Sequence, residues 1–295
     1  MTETVDQDPG REPLEAGIRY ARGGALDKAL EALEAACARA TSPALRAEAL
    51  RHLADAHRTR CEFELAVDIA RRSQSEAELA DAPDLIAEAL NAEAAVHQTR
   101  GDHDAARVLY QRMLEITSNE RVHGIARQNL GVLAASAGDF DTASREFEAS
   151  LDAFRRSGYQ RGEAIARINI ARAEFDAGDV AGASRSFEEA IAAVRRIDDM
   201  ELLATAMLNQ AEILTAQGEL GIAVERASAA LGHFLAIENA WRQVECLRLL
   251  GDIHQRRKDP EVARRCFRQA HDLAQRIGAG VEAAQLEARL NALAD

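Results

Sequence analysis

The chain has 295 residues, with 36 Arg and Lys against 49 Asp and Glu, for a net charge of −13. That balance excludes nucleic acid and an anionic membrane as main partners, because phosphate recognition needs clustered cations. Apolar residues make up 47% of the chain and aromatics 4%; this is enough for a continuous core, and with Ala and Leu dominant the helix signal stands almost alone.

Residues 1–10 are acidic and lack an apolar stretch, so a disordered tail is expected there, with no signal peptide or membrane span. Helix pairs follow. The spacing predicts first and second helices at 11–22/26–40, 43–59/63–80, 83–99/103–117, 120–137/140–157, 160–177/180–197, 199–217/220–237 and 239–257/260–277. Second helices carry one apolar stripe each, such as Phe140, Ala143, Phe147, Leu151 and Phe154. A last helix at 280–294, within a segment 280–295, would cap the exposed end of a repeat core. The expected organisation is a tail over 1–10, a solenoid of seven helix pairs over 11–279 and a capping helix over 280–295.

The pairs are punctuated by a turn on a fixed beat. Gly101-Asp102, Gly138-Asp139, Gly178-Asp179, Gly218-Glu219 and Lys258-Asp259 carry it, with echoes at Gly24-Ala25 and Cys61-Glu62. Counting 24→61→101→138→178→218→258 gives intervals of 37 or 40 residues, which is the signature of a repeat array. Gly takes the left-handed conformation that ends a helix. Asp is expected to accept from the free N–H groups that start the next one. Pro43, Pro83 and Pro260 each open a helix.

These residues resemble the tetratricopeptide repeat. Numbering the turn Gly as fifteen, the small eighth residue is Gly17, Ala54, Ala94, Gly131, Ala171, Ala211 and Gly251. The twentieth is Ala29, Ala66, Ala106, Ala143, Ala183, Ala223 and Ala263. The twenty-fourth is Leu33, Ala70, Tyr110, Phe147, Phe187, Ala227 and Phe267. The Trp of the fourth position and the closing Pro are missing throughout. Units of about 40 residues resemble the longer variety of kinesin light chain, Leu-Gly-Asn adaptors and MalT-type arrays. The resemblance implies an all-α, right-handed superhelix whose first helices line a concave groove and bind partners rather than catalyse.

Three asparagines recur at the sixth position: Asn129, Asn169 and Asn209. An amide both donates and accepts, so a ladder of them can clamp the main chain of an extended ligand; the competing reading is a bond to a neighbouring helix. Beside them, Arg51, Arg172 and Arg248 at inferred groove positions would select acidic side chains, and Gln128 occupies a further groove position. Ile165, Ile168, Phe175 and Leu208 would form an exposed apolar patch for anchor residues. His57, His97 and His254 share the eleventh position, where a packed Tyr replacement is the expected role, since their repeats stand too far apart for a common metal. Arg256, Arg257, Lys258, Arg264, Arg265 and Arg268 read as a solvated basic face, with a docking patch for an acidic partner as the alternative. Cys37, Cys61, Cys246 and Cys266 show no metal spacing and read as reduced thiols.

No P-loop, nucleophile elbow, dinucleotide glycine pattern or HExxH motif occurs. The expected protein is a cytoplasmic, bacterial, non-enzymatic, monomeric adaptor with no cofactor, binding another protein or peptide in its groove. The alternative is a stand-alone regulatory sensor whose superhelix binds a small peptide or metabolite. End-to-end self-assembly is opposed by the charged cap.

Overall fold

In the computed structural model, residues 8–22 and 25–293 are described. Among them fifteen α-helices follow one another: α1 Arg11–Arg22, α2 Leu26–Arg39, α3 Pro43–Thr59, α4 Phe63–Leu79, α5 Pro83–Arg100, α6 His103–Ile116, α7 Glu120–Ser136, α8 Phe140–Ser157, α9 Gln160–Asp176, α10 Val180–Arg196, α11 Met200–Gln217, α12 Leu220–Ala236, α13 Ala240–Arg256, α14 Pro260–Arg276 and α15 Gly280–Ala292. The chain is an all-α solenoid. It divides into two compact units, one ending at Tyr159 and the other beginning at Gln160. The first holds four helix pairs, α1 to α8. The second holds three, α9 to α14, and the closing helix α15.

The turns explain the beat. Gly101, Gly138, Gly178 and Gly218 have φ between 78° and 90°. The N–H following each of them donates back across the turn, as from Asp102 to the His97 carbonyl at 2.8 Å, which closes the helix in a Schellman motif. Cys61 and Lys258 hold the same conformation without glycine, at φ 61° and 63°. A second series sits between pairs, at Asp81, Gly158, Asp198, Glu238 and Gly278. The 37-residue intervals have a simple cause. The second helices α2 and α6 have 14 residues where the others have 17 or 18, and they end in extended residues, Ala40 and Thr117.

The turn carboxylates divide. Asp139 accepts from the Thr142 N–H and Asp179 from the Gly182 N–H, as expected of caps. Asp102, Glu219 and Asp259 do not cap. Asp102 turns instead to Arg100 and His97, and the Arg100 guanidinium holds its carboxyl below the usual range. Of the expected tail, residues 1–7 lie outside the described residues. At the end of that segment the Asp8 carboxylate accepts from the N–H groups of Gly10, Thr41 and Ser42. The echo at Gly24 also lies outside the described residues.

The core follows from side-chain size. All seven alanines of the twentieth position are fully buried, so a helix pair closes where nothing larger than a methyl group fits. Where the twenty-fourth residue is Phe147 or Phe267, the eighth residue opposite is glycine. A Cβ on Gly131 or Gly251 would fall 2.5 or 2.4 Å from the ring. Ser73 and Ser150 fill the twenty-seventh slot and donate to the Ala47 and Gly124 carbonyls, both at 2.7 Å. In the second unit α15 lays Ala283 and Leu286 on the Phe267 cluster. The Arg264 guanidinium donates to the Leu293 carbonyl, meeting an open acceptor at the end of α15.

Candidate functional site

Each unit presents a face built from its first helices. In the first unit this face belongs to α1, α3, α5 and α7. Arg51 on α3 meets Glu88 on α5 at 3.1 Å, and Arg11 on α1 meets Glu48 on α3 at 3.0 Å. Asn129 on α7 donates its amide to Asn91 on α5 at 3.0 Å. Asn129 is therefore spent on a neighbouring helix, as the competing reading of the ladder has it. Gln128 is half-buried, and its Oε1 makes no hydrogen bond among the described residues.

In the second unit the face belongs to α9, α11, α13 and α15. Asn169 on α9 and Asn209 on α11 are half-buried and make no side-chain hydrogen bond among the described residues. Two apolar expectations are corrected: Ile168 is 4% exposed and Leu208 5%. Both point into the interior, Ile168 with Phe187 and Ile213, Leu208 with Leu249 and Ile253. Burial of that much apolar surface outweighs presenting it to water. Ile165 and Phe175 are half-buried and remain at the surface.

The charged residues of this face pair with one another. Arg172 on α9 bonds Asp176 one turn on and Glu212 on α11, and its guanidinium lies 5.7 Å from the Phe175 ring centroid. Arg248 on α13 stands 3.4 Å from Asp252, 3.5 Å from Glu282 on α15 and 3.9 Å from Glu212. Arg289 on α15 bonds Asp252. Burial pushes the Asp252 carboxyl up, against the pull of Arg289 and Arg248. These groups stitch α9, α11, α13 and α15 together, so Arg172 and Arg248 are not free selectors; nor is Arg51 in the first unit, which pairs with Glu88.

Between the same helices lies an open cavity of about 590 Å³. Phe175 and Leu249 supply apolar wall, and Asp252, Gln255, Arg256 and Arg289 supply polar wall. The expected basic face breaks up here. Arg256 donates to the Thr215 carbonyl across to α11, Arg264 ties α15, and Arg257 meets Asp259 at 3.5 Å.

The three eleventh-position histidines do more than fill a Tyr slot. His57 Nδ1 lies 2.5 Å from Glu62, His97 Nδ1 3.4 Å from Asp102 and His254 Nδ1 3.5 Å from Asp259. Each reaches the turn carboxylate five residues on. That spacing was present in the sequence at all three repeats, and the turn closes it in space. Among the described residues no group of three or more His, Cys, Asp or Glu could hold a metal ion, and no helix is long and apolar enough to cross a membrane.

The family model for the tetratricopeptide repeat matches residues 85–156 and 122–196. The chain carries tetratricopeptide repeats. No curated protein matches it in sequence. Solved structures share the repeat fold at low identity. RapI in its apo form is 13% identical, with a TM-score of 0.69 over 92% of this chain and 99% of that one. A Rap protein complexed with Competence and Sporulation Factor is 13% identical, with a TM-score of 0.60 over 97% and 98%. A signal transduction ATPase with numerous domains and a tetratricopeptide repeat sensor, from Pyrococcus horikoshii, is 14% identical, with a TM-score of 0.67. The match takes in 95% of this chain and 45% of that protein. At such identity the likeness shows the fold.

Proposed function

We propose that this tetratricopeptide-repeat protein is a non-enzymatic binding protein that holds a peptide segment of a partner on the first-helix face of its second unit. The observation that carries the reading is the cavity of about 590 Å³ between α9, α11, α13 and α15, a concave site where charged and polar side chains surround a small apolar wall of Phe175, Ala216 and Leu249. Asn169 and Asn209 have unspent amides, each able to donate to and accept from a main chain. Phe175 offers surface to an apolar side chain. In the first unit, taken by itself, the corresponding face carries Asn129 and Gln128, of which Gln128 has the unspent group. The Rap protein complexed with Competence and Sporulation Factor is a case of this fold with a bound factor.

The test is the double substitution Asn169→Ala, Asn209→Ala. Neither amide has an internal bond to lose, so the helices should be unaffected. A partner retained from native lysate by the wild-type chain should be lost or weakened by about tenfold, the size of one or two hydrogen bonds. Equal retention by both chains would refute the assignment.

A second reading has its own observation. The cavity volume falls within the range of small-molecule pockets, which suits a regulatory sensor that closes on a free peptide or metabolite. A contraction in small-angle scattering on adding candidate ligands would favour it, and an unchanged radius of gyration would remove it.

A further inference from the structure

The charges around the second unit's cavity are unevenly partnered. Arg248, Arg256 and Arg289 line it against Glu212 and Asp252. Arg248 is shared among three carboxylates at 3.4, 3.5 and 3.9 Å. Arg289 is engaged by Asp252 on one side and by the Phe267 ring, at 5.7 Å, on the other. Arg256 differs. One N–H donates to the Thr215 carbonyl at 2.7 Å, and no carboxylate stands within ion-pair distance of it among the described residues. A guanidinium carries five N–H donors; Arg256 lines the cavity with one of them bonded to Thr215, and Asp252 acts on it only from beyond ion-pair distance. Phe175 and Leu249 line the same cavity. The chain as a whole carries −13, and here the carboxylates gather on Arg248 and Arg289 and leave Arg256 without an ion pair.

We infer that the cavity takes an acidic side chain of the bound segment on Arg256, next to an apolar side chain seated against Phe175 and Leu249. The inference rests on the reading of this cavity as the peptide site and adds its specificity. Arg256 is the selector; Arg248 and Arg289 are held back by internal carboxylates. Asp252 then acts as a built-in competitor. It occupies Arg289 and part of Arg248, and an incoming carboxylate must share them with it. The selection belongs to charge-assisted hydrogen bonding, which is stronger than a neutral bond and fixes geometry as well as sign.

The test uses the full chain and two pools of octapeptides, acetylated and amidated so that no terminus can stand in for a side chain. The pools are identical except that every Asp and Glu of one is Asn or Gln in the other. Retention is read by equilibrium dialysis and mass spectrometry. The acidic pool should be retained about tenfold more, the worth of one charge-assisted bond. The preference should fall as salt rises. Arg256→Gln should abolish it while leaving the circular dichroism unchanged. Asp252→Asn should move the other way and raise retention of the acidic pool, because it frees Arg289. Equal retention of both pools would overturn the acidic preference and leave the peptide site standing. Retention of neither would overturn both. A loss with Asp252→Asn that parallels the loss with Arg256→Gln would also overturn the inference, since a framework merely damaged by either change behaves that way.

Discussion

Gly251 on α13 and Gly232 on α12 are both helical glycines of the second unit, and the structure gives the same substitution opposite signs at the two. A Cβ on Gly251 would lie 2.4, 2.6 and 2.8 Å from Cε1, Cδ1 and Cζ of Phe267. Phe267 is fully buried, and the Arg289 guanidinium stands 5.7 Å from its ring, so the ring has little room to retreat. Overpacking of this kind costs about 1–3 kcal/mol. Ala in place of Gly returns about 1 kcal/mol of helix propensity. Gly251→Ala should therefore lie between about zero and 2 kcal/mol of destabilisation. A Cβ on Gly232 would meet nothing within 4 Å, so Gly232→Ala keeps the propensity gain and should stabilise by about 0.5–1 kcal/mol. The fifth repeat sets a bound on the cost: Ala171 and Phe187 occupy the equivalent slots and are both fully buried, so the pairing is tolerated once the backbone has adjusted. The assay is urea denaturation followed through Trp241, the single tryptophan, which lies in this unit. A Gly251→Ala chain as stable as the Gly232→Ala chain would refute the packing argument.

Further outcomes follow from single contacts. Ser150→Ala removes a buried donor to the Gly124 carbonyl and should cost the first unit about 1 kcal/mol; an unchanged denaturation midpoint would mean the bond contributes nothing net. Burial pushes the Asp8 carboxyl up, but hydrogen bonds from the Ser42, Gly10 and Thr41 backbone and the Ser42 hydroxyl pull it further down, to below the usual range. A depressed carboxyl contributes stability above its unfolded pKa, and that contribution is lost as pH falls below about 4. The Thr41 and Ser42 amide resonances should shift over that acid range, and Asp8→Asn should remove the dependence. Burial pushes the Cys246 thiol up to about 12 and Cys37 up to about 11, whereas Cys61 is exposed. A thiol reagent applied to the folded chain near pH 8 should therefore modify Cys61 first, and equally fast labelling of Cys246 would contradict its burial.

The helices were legible because their punctuation is local. Gly138 and Asp139 stop one helix and start the next with their own backbone and side chain, and Pro43 opens α3 by its fixed φ. Alanine at the twentieth position was legible for a similar reason: a pair of helices in contact leaves room for nothing else. The second series of left-handed turns escaped notice, because Asp81, Asp198 and Glu238 adopt that conformation without the glycine that signals it.

What the sequence could not decide is where side chains go once repeats meet. Ile168, Leu208, Arg51, Gln128 and Arg248 share the fifth position, yet Ile168 and Leu208 are buried while the others stay at the surface. Their own helix does not determine this; the apolar neighbours supplied by the next pair do. Arg172 finds Glu212 forty residues on, and Arg289 finds Asp252 thirty-seven residues back. No local rule relates such groups. The repeat, its period and its small-residue slots were therefore set by the sequence alone. Which of its charges pair, and that Arg256 is left at the cavity without a carboxylate in ion-pair distance, was decided only when α11, α13 and α15 came together, because ion pairing depends on distance in space and not along the chain.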